Sequence, residues 1–321
     1  MKVCFFPSDD FLINTSVLTI GMFDGVHLGH QKILKTLVEE AKKQEKLSVV
    51  VTFKDHPQHV LRPETKNTLK LITTLDEKIE VMGSLGIDEV VVLNFDEEMS
   101  ERSSSWFIEE VVKKKCNADV LVLGYDHRFG RGREGGFEFL NQHKEKWGLK
   151  LIEIPRHDVD SNVVSSTAIR SFLSNADFES VSLYLGRDFN FSGIVEKGRA
   201  LGRTIGFPTA NLNVDQLKIL PPTGVYAVRV KLNGNMFSGM MNIGFNPTVE
   251  GKGFSIEVNI FDFDQDIYGS KLVVIPVKRI RDEKKFENFD ALKKQIESDK
   301  MNCQILLSEL LLNKANQDDR Y

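Results

Sequence analysis

The pattern of apolar residues changes once along this chain of 321 residues, and that change restricts the fold more than any other feature. From Val17 to Ile154, uninterrupted apolar runs such as SVVVTF and DVLVLGY alternate with helical stretches such as HQKILKTLVEEAKKQ. After about Leu185 the segments are strand-length pieces separated by Gly, Pro and Asn, followed by one predicted helix from about Phe289 to Asn313. The chain therefore predicts an α/β part followed by an all-β part.

Each part predicts its own type of sheet. Strands that are apolar throughout and alternate with helices are typical of a parallel sheet covered on both faces. The second part predicts an antiparallel barrel or sandwich, in which Asn233-Gly234 is a strong hairpin signal. Because 321 residues exceed what one core usually organises, we predict two domains, 1–180 and 181–321, joined by the helical stretch STAIRSFLSNADFESVSLYLG.

The composition excludes several classes of protein. The net charge is -4 and no apolar run reaches the ~20 residues of a membrane helix, so neither a membrane span nor a surface for duplex nucleic acid is expected. Three scattered cysteines, Cys4, Cys116 and Cys303, match no disulfide or metal pattern, and MKVCFFPSDD is not followed by a signal-peptide cleavage site. A cytoplasmic location is expected, and the sequence leaves self-association open.

Two of the seven histidines, His27 and His30, lie in the stretch TIGMFDGVHLGHQKIL. They fall in the turn between a predicted strand and a predicted helix, where the helix N-terminus attracts anions. Gly21, Gly25 and Gly29 would let backbone approach a ligand closely, so the turn predicts phosphate binding. Two alternatives remain: a zinc site, although no further ligand is near in sequence, and a purely structural capping role.

The motifs of the first half resemble a known family. GMFDGVHLGH resembles the HxGH signature of the nucleotidyltransferase superfamily and, in this longer form, the N-terminal module of bacterial bifunctional riboflavin kinase/FAD synthetases. TFKDHP at 52–57, GYDHRFGRGREG at 124–135 and VSSTAIR at 164–170 follow in the order of that family. The resemblance implies a Rossmann-like α/β nucleotidyltransferase domain with a parallel sheet that joins FMN to the AMP part of ATP.

The second half resembles riboflavin kinase. GRALGRTIGFPTANL at 198–212 is similar to the signature of that enzyme, and GVYAVRV, NIGFNPTV and IEVNIFDFDQDIYG complete the pattern. This half is expected to be an antiparallel β-barrel with a closing helix that transfers the γ-phosphoryl of ATP to riboflavin. The substrates implied are riboflavin, FMN and ATP, with Mg²⁺ as cofactor.

In the first half the nucleophile would be an ionised phosphate oxygen, so the site must supply positioning and hydrogen-bond donors instead of a base. By resemblance, His27, His30 and Arg170 are catalytic, and Ser166 and Thr167 meet the phosphates from the opposite side. Alternatively, Ser166 or Thr167 caps the helix TAIRSFL. The resemblance also assigns nucleotide binding to Gly21, Phe23, Asp24, Gly29 and Asp126, and flavin binding to His56 and Pro57.

In the second half the nucleophile would be a neutral alcohol, for which a base is useful, and the resemblance assigns that role to Glu257. In SIEVNIFDF the carboxylate alternates with Ile256 and Val258, so in a sheet buried on both faces it needs a partner or a task. An exposed glutamate on a wet strand face is the alternative. The resemblance further assigns nucleotide binding to Gly198, Gly202 and Arg203, magnesium binding to Thr209 and Asn211, and flavin contacts to Asn242 and Arg281.

Other functions compete with this interpretation. GRGREG contains GxGxxG, which would suggest an NAD-dependent oxidoreductase, but YDHRF separates it from the preceding strand. A flavin- or nucleotide-binding regulator without catalysis is a second alternative, and an enzyme that retains one of the two activities is a third.

Three positions depart from the family pattern. Asn259 stands where the kinase strand usually has His, Asp55 where the motif TFxPHP usually has Pro, and His127 where an aromatic residue usually follows Asp126. Because Asn259 can still form hydrogen bonds, we expect kinase activity to survive. Asp55 and His127 bear on flavin affinity in the first half more than on its chemistry.

Overall fold

The chain divides into two units in a computed structural model. Its described residues are 1–125, 127–156, 158–159, 162–198, 202, 206–248 and 251–318. The first unit contains Met1–Ala168 with Tyr184–Gly186, and the second contains Ile169–Leu183 with Arg187–Tyr321.

A six-stranded parallel sheet forms the centre of the first unit. Its strand order is β1-β4-β3-β2-β5-β6, and every neighbouring pair is parallel. The strands are β1 Lys2–Phe6, β2 Ser16–Ile20, β3 Leu47–Phe53, β4 Glu89–Leu93, β5 Ala118–Gly124 and β6 Lys150–Ile154. The parallel sheet is confirmed, and β1 is an additional edge strand that the alternating pattern does not predict.

Helices cover both faces of this sheet. They are α1 Leu28–Lys43, α2 Pro57–Leu61, α3 Leu75–Ser84, α4 Glu97–Ser100, α5 Ser104–Phe107, which continues as a π-helical segment Ile108–Lys115, and α6 Phe137–Trp147. One apolar cluster contains Leu18, Val49 and Ile108, and the other contains Val17, Val50 and Leu34. Alternate residues of one strand therefore enter opposite clusters, which explains why these strands are apolar throughout.

Two further helices and a short hairpin follow the sheet. The hairpin pairs β7 Asp158–Val159 with β8 Asn162–Val163, and the helices are α7 Ser166–Ser174 and α8 Phe178–Leu185. Turns of 3-10 helix occur at Pro63–Asn67 and Arg131–Arg133. None of the helices among the described residues is both long enough and apolar enough to span a bilayer.

The second unit contains a closed antiparallel barrel, which decides between the two predicted all-β folds. The strands are β9 Phe191–Glu196, β10 Ala210–Val214, β11 Gly224–Leu232, β12 Asn235–Thr248, β13 Gly251–Ile260 and β14 Lys271–Arg281. They close in the order β10-β13-β12-β11-β14-β9. The predicted turn at Asn233 and Gly234 joins β11 to β12, with φ values of 50° and 85°.

A long helix, α9 Phe289–Asp318, packs on the outside of the barrel. Cys303 and Leu307 of this helix join Ala227, Met240 and Phe261 of the barrel in one apolar cluster. Residues between these on the strands, such as Tyr226 and Met241, are buried and point to the opposite face, into the barrel. The predicted closing helix is thus confirmed and ends five residues later than expected.

Candidate active sites

The two histidines of the first unit stack at the beginning of α1. His27 is the N-cap residue, and its Nδ1 accepts a hydrogen bond of 3.3 Å from the backbone N–H of His30. The ring centroids are 3.6 Å apart, with 16° between the ring planes. Because Nδ1 of His27 accepts, its Nε2 carries the proton and can donate to a ligand. The capping role is therefore real, and it is compatible with a second role in binding an anion.

His30 is held neutral by its surroundings. Burial, then the neighbouring His27 and then Lys78 lower the pKa of His30 well below its usual 6.5. Its ring meets Phe23 edge-on at 5.2 Å, and its Nδ1 is buried without a hydrogen-bond partner among the described residues. No three His, Cys, Asp or Glu side chains of the described residues come together as metal ligands, so the zinc alternative gains no support.

The turn between β2 and α1 is fixed by contacts inside the protein. Asp24 is 3% exposed, and its Oδ1 accepts hydrogen bonds from the backbone N–H groups of Ile72 at 2.8 Å and Thr73 at 3.1 Å. Gly21 donates its N–H to the carbonyl of Val51 at 3.0 Å. A Cβ at Gly29 would lie 3.2 Å from Cε1 of the His27 ring, so a side chain there would require the ring to shift by a few tenths of an ångström.

Ser165 caps α7, which corrects one sequence-based alternative. Its Oγ accepts the backbone N–H of Ala168 at 3.2 Å, whereas Ser166 and Thr167 lie inside the helix. Ser166 Oγ instead donates to the carbonyl of Asp24 at 2.9 Å and so connects α7 to the turn that bears the histidines. Arg170 follows Ser166 by one helical turn and belongs to the second unit.

The segments after β3 and β5 contain residues that the sequence predicts to bind flavin or nucleotide. His56 caps α2 by accepting the N–H of Gln58 at 3.1 Å, and Pro57 is the first residue of that helix. His127 has a buried Nε2 with no hydrogen-bond partner among the described residues, and burial lowers its pKa to about 4. Asp126 lies outside the described residues.

GRGREG is a docked loop and not a dinucleotide-binding turn. It begins six residues after the end of β5, and Phe129 just before it forms a backbone bridge with Gly135 at its end. Ser104 at the start of α5 holds the loop: its Oγ donates to the Phe129 carbonyl at 3.2 Å, and its N–H donates to Glu134 at 2.9 Å. The GxGxxG spacing therefore arises without the strand-turn-helix geometry that gives it meaning.

Three polar residues of the second unit form one row across the outer face of the barrel. Glu257 on β13 lies directly opposite Asn211 on β10 and Asn242 on β12. The hydroxyl of Thr209 donates a hydrogen bond of 3.1 Å to Glu257 Oε2. Glu257 is half-buried, so the alternative of a fully exposed glutamate is wrong, and the required partner is Thr209.

Asn259 supports this row from two residues further along β13. It is 6% exposed, and its Nδ2 donates a hydrogen bond of 2.7 Å to the carbonyl of Pro208. Pro208 immediately precedes Thr209, so neighbouring side chains of β13 hold neighbouring residues of the PTAN segment. The family's histidine is replaced here by a residue that still donates.

Side-chain and backbone atoms of this segment pack closely against two neighbouring glycines. A Cβ at Gly198 would lie 2.1 Å from Nδ2 of Asn211, and one at Gly202 would lie 2.2 Å from the carbonyl oxygen of Phe207. A cavity of about 230 Å³ opens beside Thr209, walled by Pro208, Val258 and residues 263–268. Arg203 lies outside the described residues.

Arg281, predicted to contact flavin, forms a buried ion pair. Its Nε lies 2.9 Å from Asp299 Oδ2 and its Nη2 lies 2.8 Å from the same atom. Asp299 is on α9 and is almost fully buried, so the pair fastens α9 to the end of β14. A flavin contact by Arg281 stays a prediction.

The sequence interpretation missed Lys78. This residue of α3 is 1% exposed and reaches the ends of β2 and β3 through its ammonium group. Its spacing to the buried Met82, four residues later, is the one signal that could have indicated its burial.

Comparison with known proteins identifies the family. Residues 12–168 match the family FAD synthetase, and residues 185–307 match the family riboflavin kinase. Bifunctional riboflavin kinase/FMN adenylyltransferase of Bacillus subtilis is 39% identical over 289 residues, which cover 89% of this chain and 90% of that protein. The chain belongs to this bifunctional family.

Two further proteins are similar to this chain over most of its length. The protein of that name from Haemophilus influenzae is 38% identical and covers 88% of this chain and 91% of its own length. A solved structure from Streptococcus pneumoniae, called a macrolide-efflux protein, has a TM-score of 0.84 at 30% identity and covers 95% of this chain and 99% of that one. The chain therefore contains an FAD synthetase domain and a riboflavin kinase domain, and the oxidoreductase alternative loses its support.

Proposed function

We propose that this chain phosphorylates riboflavin to FMN and adenylylates FMN to FAD, using ATP in both reactions. The adenylyltransferase would occupy residues 1–180 and the kinase residues 181–321. The observation that carries the proposal is the hydrogen bond from Thr209 to Glu257, because it joins the expected base to the expected magnesium segment.

In the kinase reaction, the 5′ hydroxyl oxygen of riboflavin attacks the γ-phosphorus of ATP. The new P–O bond forms as the bond from the γ-phosphorus to the bridging oxygen breaks, and ADP leaves. Glu257 takes the proton of the hydroxyl, which is why an oxygen not wholly used by Thr209 is needed. Asn242 and Asn211, on either side of Glu257, are suited to orient groups next to it.

The donor set near Glu257 fits magnesium. Thr209 offers a hydroxyl oxygen, Asn211 offers an amide oxygen, and both belong to the PTAN segment beside the cavity. Mg²⁺ prefers such oxygen ligands and keeps several waters. When bound, the ion supplies positive charge to the phosphates, while Asn259 keeps Pro208 and hence Thr209 in place.

In the adenylyl transfer, a phosphate oxygen of FMN attacks the α-phosphorus of ATP, and pyrophosphate leaves as the bond to the β-phosphate oxygen breaks. No base is needed because the nucleophile is already ionised. His27 donates from Nε2, and the helix N-terminus of α1 attracts the phosphate charge. Arg170, Ser166 and Thr167 are proposed to bind the same phosphates, with Arg170 as a bidentate clamp.

The remaining assignments rest on the resemblance. These are nucleotide binding by Gly21, Phe23, Asp24, Gly29, Asp126, Gly198, Gly202 and Arg203, and flavin binding by His56, Pro57, Asn242 and Arg281. A cytoplasmic location and self-association are proposals of the same kind.

The test is to analyse products by chromatography after incubation with Mg-ATP and either riboflavin or FMN. Riboflavin should yield FMN and then FAD, and FMN alone should yield FAD and pyrophosphate. FMN without FAD would show that the first half has lost its activity. A folded protein that forms neither product would favour a flavin-binding regulator and overturn the proposal.

A further inference from the structure

Lys78 is a buried cation for which neither family signature has a role. It lies on α3, one turn after a capping box in which Thr74 and Glu77 exchange hydrogen bonds. Of the lysines in the described part of the chain, only Lys78 and Lys218 are buried. A buried ammonium is costly unless it is hydrogen-bonded and compensated by charge, so Lys78 requires an explanation.

The ammonium of Lys78 connects the ends of two neighbouring strands. It donates hydrogen bonds to the carbonyl of Met22 at 2.9 Å, to Oγ1 of Thr52 at 3.0 Å and to the carbonyl of Phe53 at 3.2 Å. Met22 follows β2, and the other two residues end β3. The turn with His27 and His30 follows β2, and the segment with His56 follows β3.

The turn that Lys78 holds is strained. Phe23 and Val26 have positive φ values of 51° and 40°, which non-glycine residues rarely adopt. Such conformations are unfavourable for residues with a side chain and persist only where neighbouring contacts enforce them. The segment around Lys78 supplies two such contacts: Lys78 binds Met22, and the N–H of Gly25 donates to Thr73 Oγ1 at 3.0 Å.

The charge of Lys78 interacts with residues after β2, after β3 and on α1. Burial lowers its pKa to about 8, while Asp24 after β2 and Asp55 after β3 favour the charged form. On α1, the charge of Lys78 is one of the causes that lower the pKa of His30. Lys78 is therefore charged at neutral pH and favours the neutral form of His30.

We propose that Lys78 is a positioning residue of the adenylyltransferase site, which holds the strained turn before α1 that carries His27. Asp55, which replaces the family's proline, supports the charge of Lys78. This inference rests on the proposed function of the first half. It also offers a reason, other than flavin affinity, for an aspartate at position 55.

The first experiment compares Lys78→Met with Lys42→Met, a control at an exposed position near the end of α1. Lys78→Met should reduce kcat for FAD formation about 100-fold, because small misplacements of reacting groups have effects of that size. FMN formation, which occurs in the second unit, should stay unchanged, and circular dichroism and thermal unfolding of the variant check that the first unit is folded. FAD formation within twofold of the wild type would overturn the proposal.

A second readout separates positioning from mere structural support. The titration of His30, followed by NMR, should move to higher pH in Lys78→Met, since a cation that opposes protonation is gone. An unchanged titration would show that the charge of Lys78 does not act on His30. If wild-type protein forms no FAD, the proposed function fails; if it forms FAD and Lys78→Met forms FAD equally well, only the role of Lys78 is overturned.

A milder variant covers the case in which Lys78→Met does not fold. Asp55→Asn keeps all three hydrogen bonds of Lys78 and removes a carboxylate that stabilises its charge. The alkaline limb of FAD formation should move down by about 0.5 pH unit, while the pH profile of FMN formation stays the same. Identical FAD profiles for this variant and the wild type would overturn the proposal.

Discussion

The hydroxyl of Thr209 donates a hydrogen bond of 3.1 Å to Glu257, which places the expected base and an expected magnesium ligand in direct contact. The contact brings together two residues that are 48 positions apart in the chain. It exists because β10 and β13 are neighbours in the barrel, with Ala210 opposite Val258. One hydrogen bond thus couples the position of the metal segment to the state of the carboxylate.

Glu257→Gln should abolish the base and keep the shape of the site. We expect FMN formation to fall by about 10²–10⁴-fold, the usual contribution of a positioned base. FAD formation from added FMN should be unchanged, since it occurs in the other unit. Steady-state rates of both reactions, with the exposed Glu309→Gln as a matched control, test this. Full kinase activity in Glu257→Gln would show that Glu257 is not the base.

Asn259→Asp should weaken the magnesium segment without touching Glu257. The substitution removes the donor to the Pro208 carbonyl and puts an acceptor against it, so Thr209 loses its support. We expect the Mg²⁺ concentration for half-maximal FMN formation to rise about tenfold, equivalent to about 1.4 kcal/mol. Asn259→His, which restores the family residue and a donor, should return this value toward that of the wild type. An unchanged Mg²⁺ requirement in Asn259→Asp would contradict the positioning role.

Two substitutions of His27 separate capping from catalysis. Asn is a good N-cap residue and Ala is a poor one, so His27→Ala should lose about 1 kcal/mol of stability and His27→Asn much less. Both should lose most FAD formation, since neither supplies an imidazole Nε2–H to the phosphates. Denaturant unfolding and the FAD assay give the two readouts. Retained FAD formation in His27→Asn would assign His27 a capping role alone.

Acid should destabilise the first unit through its neutral histidines. The pKa values of His30 and His127 are lowered in the folded state, so the unfolded chain binds more protons below about pH 6.5. Stability is therefore full above that pH and is lost as pH falls toward the folded pKa, which is about 4 for His127. From pH 7 to pH 5, the free energy of unfolding should fall less in His127→Phe than in the wild type, by at most about 2 kcal/mol. Unfolding curves at both pH values test this, and an equal loss in the variant would disprove it.

The ion pair between Arg281 and Asp299 should matter for the second unit. Removing one partner of a buried pair leaves the other charge uncompensated, and because Arg281 is partly exposed we expect Asp299→Ala to cost about 2 kcal/mol. If Arg281 also borders the flavin, the KM for riboflavin should rise in this variant. The exposed Glu297→Ala on the same helix should change neither quantity. Unaltered stability would mean that the pair does not fasten α9.

The sequence alone determined the two folds and the motif positions. Period and composition are local properties, so the alternation of apolar strands with helices predicted the parallel sheet, and Asn233-Gly234 predicted the hairpin of the barrel. The choice of barrel over sandwich, the extra strand β1 and the contact between Thr209 and Glu257 required strand pairing, which sequence spacing does not encode. The same holds for Ser165 as the cap of α7 and for Lys78. Its burial depends on three acceptors at the ends of β2 and β3, and only the tertiary structure brings these strand ends beside α3.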